Sequence, residues 1–140
     1  MKKMVVLFSF LILIFGVSSA QNKTGINIGN KAPDLLGQSP DGKTVKLSDT
    51  RGKLVLLDFW AAWCGPCRRE NPFVVKAYDN FKNKNFNQGD GFTVFSVSLD
   101  RTRDAWTTAI ERDNLKWPWH ISDLKGWYSK HAAIYGVRRI

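Results

Sequence analysis

The chain has 140 residues and a formal charge of +9, with 44% apolar and 24% charged residues. That length is one domain with enough apolar residues for a core, which excludes collagen-like, coiled-coil and disordered classes. Two cysteines exclude a disulfide-rich mini-protein, and two cysteines with the distant His120 and His131 fall short of a structural zinc site.

Lys2 and Lys3 are the only charges in residues 1–20, and the run from Met4 to Phe15 is almost wholly apolar. Gly16-Val17-Ser18-Ser19-Ala20 then supplies the small residues a signal peptidase needs. Residues 1–20 therefore read as an export signal cut after Ala20, leaving residues 21–140 as the domain. The alternative is an uncleaved anchor, for which the run is short of the roughly 20 residues of a full span. No cysteine lies near the cut to carry a lipid. Export to a periplasm or cell envelope lets disulfides form and persist. The positive charges are scattered, with Arg68-Arg69 the densest cluster. They read as a solvated basic surface, so no nucleic-acid partner is expected.

Residues 21–52 are rich in Gly, Asn, Asp, Pro and Lys, and Asp41-Gly42 before Thr44-Val45-Lys46-Leu47 predicts a β-hairpin. Leu54 to Trp60 is a nearly continuous apolar run, the pattern of a strand buried on both faces inside an α/β protein. From Pro66 to about Phe81 the pattern turns helical, with Phe73, Val74, Ala77, Tyr78 and Phe81 on one face and a kink expected at Pro72. Asn83 to Gly91 reads as a polar loop and Phe92 to Leu99 as a second strand. Arg103 to Leu115 reads as a helix, broken at Trp117-Pro118-Trp119. Leu124, Trp127, Tyr128, His131, Ala132 and Tyr135 then give a helical stripe, read as core, with His131 a boundary residue rather than a ligand. The expected order is hairpin, β, α, β, α, α, with a parallel strand pair.

Cys64-Gly65-Pro66-Cys67 carries the chemistry. As a structural staple, a loop this short is worth about 2 kcal/mol before strain is subtracted, the weakest placement available. As a redox centre the spacing makes sense, because the second thiol stands ready to resolve an intermediate formed by the first. Cys64 stands at a helix start, where free N–H groups and the positive end of the helix favour a thiolate. Cys64 is thus the expected nucleophile and Cys67, inside the first turn and less exposed, the resolving thiol.

The stretch from Val55 to Cys67 closely resembles the thioredoxin active-site segment. Ile28-Gly29-Asn30-Lys31-Ala32-Pro33-Asp34, Leu47-Ser48-Asp49 before Gly52-Lys53, and Glu70-Asn71-Pro72 narrow the likeness. Together they resemble the exported TlpA/ResA-like thiol-disulfide oxidoreductases over about residues 26–140. The resemblance implies an α/β thioredoxin fold with an N-terminal β-hairpin extension. It implies exchange with protein thiols and disulfides, no cofactor, no metal, and a membrane electron donor. Asp58 matches the buried acid of thioredoxins that helps to move the resolving cysteine's proton. Burial raises a carboxyl's pKa toward what such a shuttle needs, and a hydrogen-bonded structural acid is the alternative. Glu70 resembles the acid that tunes cysteine pKa in ResA-like proteins, against a plain solvated helix charge. Trp63, with Gly65 and Pro66, is expected to form the surface where substrate docks, and Trp60 to be core.

In this family Tyr-Gly-Val-x-x-Ile is followed by a cis-proline, two strands and a helix. Here the sequence reads to Tyr135-Gly136-Val137-Arg138-Arg139-Ile140, and no proline follows Pro118. The expectation is a C-terminally truncated member, whose strand at Leu54–Trp60 becomes an exposed edge. The leading function is exported thiol-disulfide exchange, with Gly-Pro between the cysteines resembling reducing thioredoxins. One alternative is a thiol peroxidase, whose motif needs Thr or Ser at Ala61 and Pro at Leu57. Another is a non-catalytic fragment.

Overall fold

The computed structural model describes residues 23–140, so the expected export signal at 1–20 lies outside the described residues. In chain order the elements are strands β1 (Leu36–Gln38), β2 (Thr44–Lys46) and β3 (Leu54–Trp60), helix α1 (Gly65–Phe81), and strands β4 (Asn85–Phe86), β5 (Gly89–Asp90) and β6 (Phe92–Ser98). Helix α2 (Arg103–Arg112), strand β7 (Trp119–Ser122) and helix α3 (Lys130–Ile134) follow, with short 3-10 turns at Leu47–Thr50 and Gly126–Tyr128. The main sheet runs β2-β1-β7-β6-β3. Strand β6 pairs in parallel with β3 and β7, while β1 is antiparallel to β2 and β7.

The hairpin forms as its turn signal predicts, with Gly42 at φ +83° and the Ser39 amide donating to the Lys43 carbonyl at 2.8 Å. The Leu54–Trp60 strand also forms as expected, and pairs residue for residue with β6 from Leu54↔Phe92 to Trp60↔Ser98. It lies at one edge of the sheet, where Leu54 and Leu56 remain exposed.

Alternation along β3 and β6 sorts two cores. On one face Trp60, Val94, Trp106, Ala109, Leu115 and Trp117 pack beneath α1 and α2. On the other, Leu35, Phe95, Val97 and Ile121 pack with Val55, Leu57, Phe59 and Tyr135. A third cluster of Ala61, Cys64, Leu99 and Ala132 closes the carboxyl end of the parallel strands.

Four expectations need correction. The expected order misses a strand: at the Trp117-Pro118-Trp119 break begins Trp119–Ser122, which joins the hairpin to the parallel pair. The polar loop at 83–91 contains a two-residue hairpin, β4–β5. The inner face of α1 is the buried Asn71 with the half-buried Val74, Val75, Ala77 and Tyr78, whereas Phe73 and Phe81 are exposed. Helix α1 runs on through Pro72, which has no N–H to give the Arg68 carbonyl. Finally, the stripe after Leu124 is only partly core. His131 and Ala132 are buried, but Trp127 and Tyr128 face solvent, because a 3-10 turn and a five-residue helix replace one long helix. His131 is core, its Nε2 donating to the Leu36 carbonyl at 3.0 Å. Among the described residues no helix is long and apolar enough to cross a membrane.

Candidate active site

Strand β3 delivers the chain to the carboxyl end of the sheet, where the Leu99 amide donates to the Trp60 carbonyl at 2.8 Å. The chain turns over Ala61–Trp63, closed by the Cys64 amide donating to the Ala61 carbonyl at 3.0 Å. Cys64 is the N-cap of α1, and the Cys67 amide donates to its Sγ at 3.2 Å. Proline at the second helical position costs no hydrogen bond, because the first-turn amides have no intrahelical acceptor. The two cysteines are joined as a disulfide, with their Cα atoms 5.3 Å apart.

The expected exposures of the pair are reversed. Cys64 is 3% exposed and Cys67 only partly buried. The cause is packing from distant segments: Leu99 and Ala132 cover Cys64, with Val137 and Ile140 against the same cluster. Gly65 and Pro66 are exposed, as is Trp63, whose Nε1 donates to the Leu99 carbonyl at 3.3 Å. Trp60 is fully buried, as expected for core.

Asp58 shares the sheet face of Trp60, the face on which Cys67 also packs. Burial pushes its carboxyl up to about 6, opposed by one hydrogen bond from the Ser96 hydroxyl at 3.2 Å. The Ser96 Oγ in turn accepts from Trp117 Nε1 at 3.0 Å. With one lone pair so engaged, the hydroxyl proton is directed at Asp58. Glu70 sits one turn beyond Cys67 on the exposed side of α1 and makes no ion pair among the described residues.

Two supports were not read from the sequence. Asp100, 1% exposed, accepts from the Ala62 amide at 3.1 and 3.0 Å and from the Ser98 hydroxyl at 2.7 Å. It thereby pins the turn that presents Trp63 and Cys64. Its sole sequence signal is an acid directly after an apolar strand. The second support is Arg68, whose guanidinium grips both oxygens of Asp113, while Asn71 Nδ2 donates to the same carboxylate at 2.7 Å. Those Arg68 hydrogen bonds hold the Asp113 carboxyl below its usual range. The cluster ties the first turns of α1 to the end of α2. Among the described residues no group of His, Cys, Asp and Glu side chains is placed to hold a metal ion.

A disulfide at a helix N-terminus, at the carboxyl end of a parallel strand pair, defines a thioredoxin-like thiol-disulfide oxidoreductase. The profile of the AhpC/TSA family matches residues 28–138, and the chain belongs to that family. Thiol-disulfide oxidoreductase ResA of Bacillus thuringiensis (strain Al Hakam) is 32% identical over an alignment of 146 positions, covering 98% of this chain and 79% of the relative. Two solved structures agree. The thioredoxin domain of a thiol-disulfide oxidoreductase from Bacteroides vulgatus is 37% identical at a TM-score of 0.67, covering 78% of this chain and 73% of that one. A thiol-disulfide oxidoreductase from Bacteroides fragilis NCTC 9343 is 30% identical at a TM-score of 0.68, covering 79% and 78%.

Proposed function

We propose that the chain is an exported reductant of protein disulfides, working through the Cys64–Cys67 dithiol. The observation that carries this reading is the pair itself at the N-terminus of α1, on the sheet face that also bears Asp58. In the reduced protein the Cys64 thiolate attacks one sulfur of a substrate disulfide. A mixed disulfide forms and the other substrate sulfur leaves as a thiolate. Cys67 then gives its proton to the Asp58 carboxylate and attacks Cys64 Sγ, releasing the second substrate sulfur. Two electrons pass to the substrate, and the chain ends with the Cys64–Cys67 bond. A membrane dithiol donor returns the pair to the reduced state. The amide of Cys67 at the Cys64 sulfur supports the attacking role, because it stabilises negative charge there. Glu70 stands one turn beyond Cys67 on α1, where its charge would tune the dithiol.

Two measurements test the reading. Cys67→Ser should accumulate a mixed disulfide with a protein substrate, and Cys64→Ser should form none. A redox titration against glutathione should place the pair below about −230 mV, and a value above about −180 mV would overturn the reductant direction. The peroxidase alternative shares the family's name, but Ala61 and Leu57 stand where its motif needs Thr or Ser and Pro. Peroxide consumption by the reduced protein, lost in Cys64→Ser, would restore it.

A further inference from the structure

Beside the cysteines lies a groove of about 410 Å³. Trp63 and Trp127 wall it, and Leu99, Asp100, Arg101 and Ala105 line it. The two indole rings meet at 6.0 Å between centroids, tilted by 54°, and remain 54% and 45% exposed. Two contacting tryptophans half in water leave much of the available burial energy unused, which is the pattern of a binding surface rather than of a core. The surface is also held rigid. Trp63 is tethered to the Leu99 carbonyl, and the turn beneath it is fixed by Asp100.

Arg101 supplies the charge. Its side chain lies along Gly126, where φ is +57° and an added Cβ would come within 3.0 Å of the arginine Nε. The glycine therefore admits the arginine stem against its backbone. Arg101 is exposed and makes no ion pair among the described residues. The neighbouring Asp100 turns its carboxylate to the Ala62 amide and the Ser98 hydroxyl instead.

We propose that this groove selects the substrate, taking an extended segment that carries an aromatic side chain and a carboxylate within two residues of its cysteine. The inference rests on the disulfide-exchange reading above. The aromatic ring enters against Trp127 and Trp63, and the carboxylate pairs with Arg101. Leu99 both lines the groove and packs on Cys64, and Trp63 directly precedes that cysteine, so a segment lying there is held beside the reactive pair.

The test uses the reduced chain and three synthetic peptide disulfides that differ beside the cysteine: Trp with Asp, Ala with Asp, and Trp with Lys. Second-order exchange rates are compared as ratios within each protein, so a general loss of activity cancels. The Trp–Asp peptide should react about tenfold faster than Ala–Asp and several-fold faster than Trp–Lys. In Trp127→Ala the first ratio should fall to about one, and Trp127→Phe should retain most of it. In Arg101→Gln the second ratio should fall to about one while the first persists. Equal rates for all three peptides, alongside brisk reduction of oxidised glutathione, would overturn the groove and leave the exchange reading standing. No reduction of any disulfide, glutathione included, would overturn both.

Discussion

Two carboxylates lie behind the cysteine pair, and they are held in opposite ways. Asp100, beyond the end of β6, receives a backbone amide and a hydroxyl at 3.1 Å or less and is closed to solvent. Asp58, inside β3, receives one hydroxyl at 3.2 Å. The first is a fixed acceptor whose oxygens are committed to shape. The second is partly buried with a single protein donor, and burial raises its carboxyl above the ordinary aspartate value. Two acids of the same chemistry thus differ in the number of donors each is given: Asp100 is a strut, and Asp58 is the proposed proton acceptor.

Replacing the acceptor should have the larger effect. Asp58→Asn cannot take the Cys67 proton and should slow resolution of the mixed disulfide by about 10- to 100-fold near pH 7. Its effect on stability runs the other way. The folded carboxyl titrates at about 6 against 3.8 for an ordinary aspartate, so the native state loses stability as pH rises through that window. The asparagine variant should therefore be more stable above pH 6, by about 3 kcal/mol at about 1.4 kcal/mol per pH unit. The gain should vanish below about pH 4, as read from urea melts across pH. A gain that persists at low pH would mean that charge burial is not its source.

Replacing the strut should cost stability. Asp100→Ala leaves the Ala62 amide and the Ser98 hydroxyl without their acceptor, at a cost of about 2 kcal/mol. It should also slow thiol exchange, since the turn carrying Trp63 and Cys64 loosens. Chemical denaturation with thiol-exchange rates on the same samples checks both. Asp113→Ala should cost a similar or smaller amount, through the unpaired Arg68 and Asn71, without moving the pH profile of exchange. The smallest effect should come from Ser96→Ala. Removing the one donor moves the Asp58 inflection upward from about 6, visible in the pH dependence of mixed-disulfide resolution. An unchanged inflection would sever the Trp117–Ser96–Asp58 chain.

Strand β3, helix α1 and strand β6 were legible because each is set by its own residues: a long apolar run, a proline-started amphipathic stretch, and a second apolar run. Strand β7 was not. Trp119-His120-Ile121-Ser122 does alternate, but four residues directly after a proline are too short a run to define a strand alone, and it is one because β6 and β1 pair with it. The cysteine pair and Asp58 could be picked out by spacing and setting. The low exposure of Cys64 could not, since Leu99 and Ala132 that cover it lie far along the chain. Asp100 and Asp113 escaped for the same reason. Their partners Ala62 and Arg68 are distant in sequence, and neither acid sits in a local motif.

The most direct test of the account is a mass measurement on both partners of a single turnover. Reduced chain is mixed with an equimolar protein disulfide such as insulin, quenched with acid and weighed. The chain should lose two hydrogens as the substrate gains two, with a Cys64-linked mixed disulfide in between that accumulates in Cys67→Ser. A substrate left oxidised while the chain stays reduced, in conditions where dithiothreitol reduces that substrate, would contradict it.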